Sequence, residues 1–297
     1  MSRTRKIDVA DVQRMRRRIL QGSDQVPPLP DVVHKLLELI NRDDAEPMEF
    51  EAVLEHSPAL AGKLLGLVNS ALFGVQHPVT SIHHAVLLLG HWPLRNMVLA
   101  YGAGELMLTD FSCYGHSARG LWEHSVAVAA ASRSLALRTD LDWEDRELVF
   151  LAGLLHDIGK MLIAPYLSAG PVNMTHFPGD IRAMERQFCG LDHTEAGALV
   201  IAKWNLPDTL QEVVEHQHGG EGPADYRTHI AILRLAEAVA HEMGIGYLPG
   251  QGPEAIYRAA DLGALGNLGA GLDWEQAREG MEEAVRVALV TMAEVFG

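Results

Sequence analysis

Apolar residues along most of this chain recur every three or four positions, which is the spacing of one face of an α-helix. Strict alternation of apolar and polar residues persists nowhere, so the pattern predicts helices and no sheet. The predicted helices of the first part lie near residues 31–40, 58–68, 81–89 and 93–98. Those of the later part lie near residues 121–137, 143–163, 180–188, 194–204, 207–217, 228–243 and 273–295. The expected fold class is all-α.

The predicted helices fall into three segments. Residues 1–21 form a basic arm or first helix, residues 22–115 an N-terminal helical subdomain, and residues 116–297 a helical domain with a C-terminal helical extension. The boundary near residue 115 rests on a polar, glycine-containing stretch that interrupts the helical pattern. Glycines spaced along residues 262–272 follow no predicted strand, so we interpret them as a hinge or loop rather than a phosphate-binding loop.

Charge is distributed unevenly along the chain. The 297 residues have a formal net charge of −15, whereas residues 1–18 hold seven basic and two acidic side chains and carry +5. The rest of the chain therefore carries −20 and is a poor partner for nucleic acid, because phosphate contacts need an excess of Lys and Arg. We interpret the arm as solvated, or as a helix packed on the acidic body.

Purely apolar runs, such as residues 148–155, reach only about eight residues, whereas a membrane-spanning helix needs about 20. The sequence therefore predicts no transmembrane helix and no membrane partner. The first residues lack the apolar core of a secretory signal. Cys113 and Cys189 are 76 positions apart, which argues against a disulfide scaffold and against a zinc ribbon. We expect a cytoplasmic protein.

Residues 151–160 combine an apolar run with the ionisable pair His156 and Asp157. The run carries both side chains into the interior near a helix end, where burial is costly unless they pair or bind a metal. Gly159 is expected to end the helix or to allow close approach of another element, and Lys160 to reach an anionic ligand. A capped helix end with a hydrogen bond between Asp and His explains the pair about as well.

The chain contains 15 histidines, and several lie on separate predicted helices. His124, His193 and His216 are such residues, and Glu237 lies within an apolar helical stripe. A helical bundle can bring side chains of this kind to one interior point. Ligation by imidazole and carboxylate without cysteine suits iron, manganese, zinc or magnesium. His218, two residues after His216, is expected to point to the opposite side unless the helix ends first.

Several motifs occur in an order that is typical of one family. The first half contains Val-Pro-Pro-Leu-Pro from residue 26, Ser-Pro-Ala-Leu-Ala-Gly-Lys-Leu-Leu from 57, Val-Asn-Ser-Ala-Leu-Phe-Gly from 68 and Val-Thr-Ser-Ile-His-His-Ala-Val-Leu-Leu-Leu-Gly from 79. The second half contains Leu-Trp-Glu-His-Ser from 121, Gly-Leu-Leu-His-Asp-Ile-Gly-Lys from 153 and Trp-Asn-Leu-Pro from 204. Over roughly residues 22–242 the chain resembles the HDOD family, the HD-related output domains within the HD superfamily of metal-dependent phosphohydrolases. The resemblance implies a helical bundle of the HD-domain type with an N-terminal helical subdomain.

The resemblance also assigns metal ligands. Five residues match ligand positions of the catalytic relatives, the last of them as the first histidine of a His-His pair: His124, His156, Asp157, His193 and His216. Gln217 stands where the second histidine would be, and Glu237 stands where those relatives use Asp. An amide oxygen is a weaker ligand than imidazole, whereas Glu keeps the charge of Asp. We therefore expect one divalent metal ion, with a second optional.

The function that the resemblance implies is that of a regulatory output module in bacterial signal transduction, because many members have lost metal-binding residues. Its expected partners are signalling proteins and a nucleotide or phosphorylated ligand, and the oligomeric state is left open. The alternative is an active metal-dependent phosphohydrolase or phosphodiesterase, in which Asp157 orients a water molecule and Lys160 stabilises phosphate charge. The Gly-Tyr-Pro segment of HD-GYP phosphodiesterases is absent after residue 221, which disfavours cyclic di-GMP hydrolysis.

Overall fold

The computed structural model describes residues 9–22, 26, 28–42, 44–70, 75–108, 110–117, 119–168, 181–218, 222–246 and 272–296. These residues are mainly α-helical and contain no β-strand, so the predicted all-α class is confirmed. The predicted loop at residues 262–272 lies, except for its last residue, outside the described part of the chain, and so do the first eight residues of the basic arm.

The helices of the described residues are numbered here in chain order. They are α1 (Val9–Gly22), α2 (Asp31–Ile40), α3 (Pro47–Leu54), α4 (Pro58–Val68), α5 (Ile82–Leu89), α6 (His91–Met107), α7 (Gly120–Ala136), α8 (Trp143–Leu155), α9 (Lys160–Ser168), α10 (Ile181–Cys189), α11 (His193–Lys203), α12 (Asp208–Glu215), α13 (Arg227–Glu242) and α14 (Trp274–Phe296). The helix near residue 93 begins two residues earlier than Pro93, which occupies its first turn, where the missing N–H of proline costs nothing.

Helix α7 lies at the centre of the second half of the fold, where α8, α13 and α14 pack against it. Its middle is built from small buried residues, including Ala127 and Ala129. Close packing is also enforced from α8, because a Cβ atom added to Gly153 would lie 2.7 Å from the Cα atom of Ala129. The two helices therefore approach at backbone contact, which brings the end of α8 beside His124 on α7.

The continuous helix predicted over residues 143–163 is wrong in one respect. Helix α8 ends at Leu155, a buried turn follows over residues 156–159, and α9 begins at Lys160. The reason is the close approach of α11, because a Cβ atom on Gly159 would collide with the carbonyl oxygen of His193 and the backbone nitrogen of Gly197. Glycine lets the turn sit directly on the first turns of α11.

The N-terminal helices pack on one another and on the second half of the chain. Helix α6 contacts α2, α5, α7 and α8, and α4 contacts α5 and α14. Helix α1 contacts α9 and α10, and its Ile19 is buried. The part of the basic arm that the structure describes is therefore a helix packed on the acidic body, which is one of the two interpretations drawn from the sequence.

One segment has the length and composition of a membrane span. Residues Trp143–Ser168 reach a mean hydropathy of 1.5 in an 18-residue window. However, 78% of that window is buried inside the fold, and the segment consists of α8, the buried turn and α9. Burial of this extent is typical of core helices, so the segment is weak evidence for a membrane span.

Candidate metal centre

The turn between α8 and α9 carries His156 and Asp157 into the interior of the helical bundle. Both side chains are buried, as are His124 on α7 and His193 at the start of α11. The Oδ2 atom of Asp157 lies 3.3 Å from Nε2 of His156 and 3.9 Å from Nε2 of His124. Its Oδ1 atom lies 3.6 Å from Nε2 of His193. Three predicted histidine ligands thus meet around the carboxylate of a fourth, Asp157.

Glu237 on α13 joins this cluster through two further histidines. Its Oε2 atom lies 3.6 Å from Nδ1 of His218, and its Oε1 atom lies 3.9 Å from Nε2 of His241. The Nε2 atom of His218 lies 3.1 Å from Nε2 of His193. The ring of His241 stacks on the ring of His124, with centroids 5.0 Å apart and planes at 8°. Ligand-type side chains therefore line a continuous region from α7 to α13.

Two of the histidines are oriented by hydrogen bonds on the ring nitrogen that faces away from Asp157. The Nδ1 atom of His156 lies 2.7 Å from the carbonyl oxygen of Gly153, which can only accept a hydrogen bond. The Nδ1 atom of His193 lies 2.7 Å from Oε2 of Glu185. In the neutral rings these contacts place the proton on Nδ1 and leave the Nε2 lone pairs facing Asp157, as metal-binding histidines require.

Glu185 is itself held in place by two donors. The hydroxyl group of Tyr114 donates to its Oε1 atom at 2.7 Å, and the backbone N–H of His193 donates to its Oε2 atom at 2.9 Å. Both Glu185 and Tyr114 are buried. This arrangement of carboxylate and imidazole is the usual support of a histidine ligand, and the sequence analysis missed it because Tyr114, Glu185 and His193 come from three separate segments.

The electrostatics of the cluster differ from one group to the next. Burial raises the pKa of Asp157, but the Lys160 ammonium and the His156 imidazole outweigh burial and hold that pKa well below its usual range. Burial, with His241 and His156 adding to it, holds the pKa of His124 well below 6.5. Asp157 is therefore ionised and His124 neutral near pH 7, which are the protonation states that bind a metal ion.

His156 and His193 behave differently from His124. Burial lowers the pKa of each, but neighbouring carboxylates outweigh burial and raise the pKa above 6.5. The dominant carboxylate is Asp157 for His156 and Glu185 for His193. A metal ion bound by these two rings must therefore displace protons that the carboxylates favour.

Lys160 lies inside the cluster rather than at its mouth. Its Nζ atom is 2.6 Å from Oδ2 of Asp157, and its ammonium group lies 5.3 Å from the centre of the Tyr114 ring. The side chain is buried. Its cation thus neutralises the carboxylate on the same oxygen that His124 and His156 approach.

The residues present fit a divalent metal ion. The Nε2 atom of His156 and the Oδ1 atom of Asp157 are buried and have no hydrogen-bond partner among the described residues. Ligand atoms of His124, His156 and Asp157 all lie within 4.8 Å of one another. Bonds of about 2.1 Å place neighbouring ligand atoms about 3.0–3.5 Å apart. The 3.3 Å between Asp157 and His156 lies within that range, and the 3.9 Å between Asp157 and His124 needs only a small contraction. A second group of the same kind contains His124, Glu237 and His241.

The structure does not bring His216 to this cluster. Its side chain is 36% exposed, and its Nδ1 atom lies 3.0 Å from the carbonyl oxygen of Glu212. Helix α12 ends at Glu215, so His218 lies beyond the helix and points inward. His218 was expected to face away unless the helix ended first, and the helix does end before it.

The Gln217 side chain is buried, and it forms a hydrogen bond with the backbone rather than with the ligand side chains. Its side-chain Nε2 atom donates to the backbone carbonyl oxygen of His156 at 2.7 Å, and the backbone carbonyl oxygen of Gln217 accepts from Nε of Arg234 at 2.6 Å. The side-chain amide of Gln217 thus holds the turn that carries His156 and Asp157.

His241 was missed by the sequence analysis, although it follows Glu237 by four residues and so lies on the same helix face.

The all-α bundle encloses a buried cluster of His, Asp and Glu, and comparison with known protein families identifies the family. A model of the HDOD domain family matches residues 26–219, about two thirds of the chain. The protein belongs to the HDOD family, which confirms the resemblance drawn from the motifs. It is 26% identical over 243 residues to an uncharacterized protein of Treponema pallidum (strain Nichols), covering 78% of this chain and 45% of that relative. The chain thus spans less than half the length of that relative.

Three solved structures share the fold. An HDOD domain protein of unknown function from Geobacter sulfurreducens is 21% identical with a TM-score of 0.72, and the match covers 97% of this chain and 99% of that one. A candidate phosphohydrolase from Shewanella amazonensis SB2B is 24% identical with a TM-score of 0.69, covering 94% of this chain and 98% of that one. A candidate signal-transduction protein from Marinobacter aquaeolei VT8 is 21% identical with a TM-score of 0.67, covering 97% of this chain and 68% of that one. At identities below 25%, these likenesses establish the fold and leave the activity to be argued from the site.

Proposed function

We propose that this HDOD protein is a regulatory signalling module whose buried cluster holds one divalent metal ion. The ligands are His124, His156 and Asp157, with His193 and His218 beside them. The observation that carries the proposal is burial, because all three ligands are at most 1% exposed. A buried carboxylate and imidazoles are costly unless they pair or bind a metal.

The overlap between the two ligand groups favours one metal ion over two. Both groups include His124. A neutral imidazole has a single ring nitrogen with a free lone pair, so it ligates one ion at a time. The His124 group with His156 and Asp157 is fully buried, whereas Glu237 and His241 are slightly exposed. We therefore assign the ion to the first group and treat the second as optional.

The alternative function is metal-dependent phosphohydrolysis. A bound metal ion would lower the pKa of water toward about 7 and polarise a phosphoryl oxygen. Lys160 favours this reading, because a buried ammonium group beside the ligands can stabilise phosphate charge. Two observations disfavour it: the ammonium group is already paired with Asp157, and the ligands are closed off from solvent. A phosphoester would have to open the cluster before reacting.

Partners and location belong to the same proposal. We propose that signalling proteins bind the surface of the module, that a nucleotide or phosphorylated compound is its ligand, and that it acts in the cytoplasm. The family supports the signalling role, and the net charge of −20 that remains outside residues 1–18 disfavours binding of nucleic acid to the body.

Metal analysis by mass spectrometry of protein purified without added metal tests the proposal. Wild type is expected to hold about one divalent ion per chain, and Asp157→Asn to hold less than about a tenth of that. His216→Ala is the matched control, since His216 lies outside the cluster, and it should keep the wild-type content. A metal-free wild type, or loss of the ion from His216→Ala alone, would overturn the assignment.

Assays with p-nitrophenyl phosphate and bis(p-nitrophenyl) phosphate separate the two functions. The regulatory proposal predicts no turnover above the Asp157→Asn background, even with full metal content. Turnover by the metal-loaded wild type that Asp157→Asn abolishes would replace it with the phosphohydrolase reading. Metal content and turnover are read separately, so each part of the proposal can fail alone.

A further inference from the structure

A cavity of about 320 Å³ lies on the side of α7 opposite His124, between α6, α7, α8 and α14. The position follows from the helix period, because residues 126, 129, 130 and 133 line the cavity and project about half a turn away from residue 124. The cavity is thus separate from the metal cluster, although both share α7 and α8.

Most of the cavity wall is apolar. Trp122 and Phe150 contribute aromatic surface, and Met97, Leu154 and Met292 contribute aliphatic surface. The space exists because three helices present alanine where larger residues would fill it: Ala100, Ala129, Ala130, Ala284 and Ala288. The volume is sufficient for a small aromatic molecule, since an apolar void of about 150 Å³ already admits benzene.

One end of the cavity is polar and is formed by Asn96, Glu147 and Arg133. The Nδ2 atom of Asn96 donates to Oε2 of Glu147 at 2.7 Å and to the backbone carbonyl oxygen of Glu147 at 3.2 Å. The Arg133 guanidinium lies 3.4 Å from Oε1 of Glu147. Because Nδ2 of Asn96 meets two acceptors, the orientation of its amide is fixed and its Oδ1 atom is an acceptor.

Two acceptors at this end receive no hydrogen bond, although Glu147 Oε1 is ion-paired with Arg133 at 3.4 Å. Asn96 Oδ1 and Glu147 Oε1 are buried without a hydrogen-bond partner among the residues that the structure describes, and both residues are 2% exposed. Leaving a buried acceptor unsatisfied costs about 1–3 kcal/mol, so the site favours a molecule that brings a donor. The ion pair of Glu147 with Arg133 balances the local charge, so a neutral donor fits better than an anion or a cation.

We propose that this cavity is a binding site for a neutral, mainly apolar small molecule that donates an N–H or O–H hydrogen bond to Asn96 and Glu147. The aromatic walls and the volume favour a planar molecule of about two fused rings. The proposed small molecule is distinct from the metal ion, and it makes no contact with His124, His156 or Asp157.

Three probes test the chemical class by isothermal titration calorimetry on the full chain. The first is 2-naphthol, which carries a neutral O–H donor, the second is 2-methoxynaphthalene, which has the same rings without the donor, and the third is the anion 2-naphthoate. The donor should make 2-naphthol bind at least about tenfold more tightly than 2-methoxynaphthalene, since Glu147 is a charged acceptor. The anion should bind more weakly than 2-naphthol, because it meets the carboxylate of Glu147.

Variants locate the binding. Ala130→Leu and, from another helix, Ala288→Leu fill the cavity and should each weaken 2-naphthol binding at least about tenfold. Ala202→Leu, an exposed alanine on α11, is the matched control and should bind as wild type does. Asn96→Leu removes one acceptor and should reduce the preference for 2-naphthol over its methyl ether. Thermal unfolding of each variant confirms that it is folded.

The proposal is overturned if none of the probes binds the wild type. It is also overturned if both filled variants fold and bind 2-naphthol as tightly as Ala202→Leu does. Equal binding of 2-naphthol and 2-methoxynaphthalene would contradict the assigned ligand class. None of these results depends on metal content.

Discussion

Helix α8 contains one buried carboxyl group and is followed by a second, and their pKa values are shifted in opposite directions. Glu147 lies in its second turn and Asp157 lies two residues past its end. Burial raises the pKa of Glu147, and Arg133 and Asn96 only partly offset it. Burial also raises the pKa of Asp157, but Lys160 at 2.6 Å and several imidazoles more than compensate and lower it. Two buried carboxyl groups thus differ in protonation: the fold favours the protonated form of Glu147 and the ionised form of Asp157.

The difference lies in the neighbours rather than in burial. Asp157 is surrounded by groups that can ligate or pair with a cation, so it is held as a ready-made anionic ligand. Glu147 has one guanidinium at 3.4 Å and an amide, and beside them lies an apolar cavity. These neighbours are the basis of the two proposals, a metal ion at one end of α8 and a neutral hydrogen-bond donor at the other.

The largest effect is expected where the Asp157 end depends on close backbone packing. Gly159→Ala would push a Cβ atom into the carbonyl oxygen of His193, so it should lower the free energy of unfolding by about 3 kcal/mol and reduce metal content. Gly62→Ala is the control, because a Cβ atom there has no neighbour within 4 Å on an exposed helix position. It should stabilise the protein by about 0.5–1 kcal/mol. Urea unfolding measures both, and equal effects would contradict the packing account.

The next effect distinguishes two histidines beside the Asp157 end. His218→Ala removes the ring that lies 3.1 Å from His193, so metal affinity should fall about tenfold. His216→Ala should change the affinity less than about twofold, since His216 contacts Glu212 instead. Competition with a fluorescent chelator measures both constants. A larger loss for His216→Ala would restore the assignment that the sequence resemblance implies.

A comparable or smaller loss of metal affinity is expected for variants of Glu185, which contacts His193 and none of the three proposed ligands. Glu185→Leu removes the carboxylate that orients His193, and metal affinity should fall about tenfold. Tyr114→Phe removes only one hydrogen bond to Glu185 and should lower it less. The pH at half-maximal metal binding reports on orientation as well, because loss of Glu185 removes the main group that raises the pKa of His193. Binding by Glu185→Leu should therefore persist to lower pH relative to its own maximum.

The smallest effect concerns the Glu147 end. Because the folded state raises the pKa of this carboxyl group above its ordinary 4.5, the folded state holds the proton more tightly than the unfolded chain does. Stability attributable to Glu147 is therefore present below pH 4.5 and is lost as the pH rises through the raised pKa. Glu147→Gln should gain stability relative to wild type over that rise. The same change at exposed Glu144 is the control, and identical pH profiles for both variants would contradict the comparison.

The sequence predicted the Asp157 end better than the Glu147 end. His156 and Asp157 stand in one short motif, and the apolar run before them already indicates burial. The choice of His218 over His216 depends on where α12 ends, and helix ends are weakly encoded when no cap marks them. The break at Gly159 depends on the approach of α11, which is a tertiary contact that periodicity does not report.

The cavity was out of reach of sequence reasoning for a different reason. Its lining extends from Leu67 to Met292 and comes from five helices. Alanine in a helix predicts close packing as readily as a void, and Ala129 on α7 shows both, since it packs against Gly153 and also lines the cavity. Asn96 and Glu147 are 51 positions apart, so only the fold reveals that they share a hydrogen bond.

An anomalous difference map from crystals of the wild-type protein, purified without added metal, tests the central claim most directly. The account predicts one strong peak bonded to Nε2 of His124, Nε2 of His156 and Asp157, at about 2.0–2.2 Å from each. It also predicts that His216 is not bonded to that peak. A well-ordered cluster without an anomalous peak, with Lys160 still paired to Asp157, would contradict it.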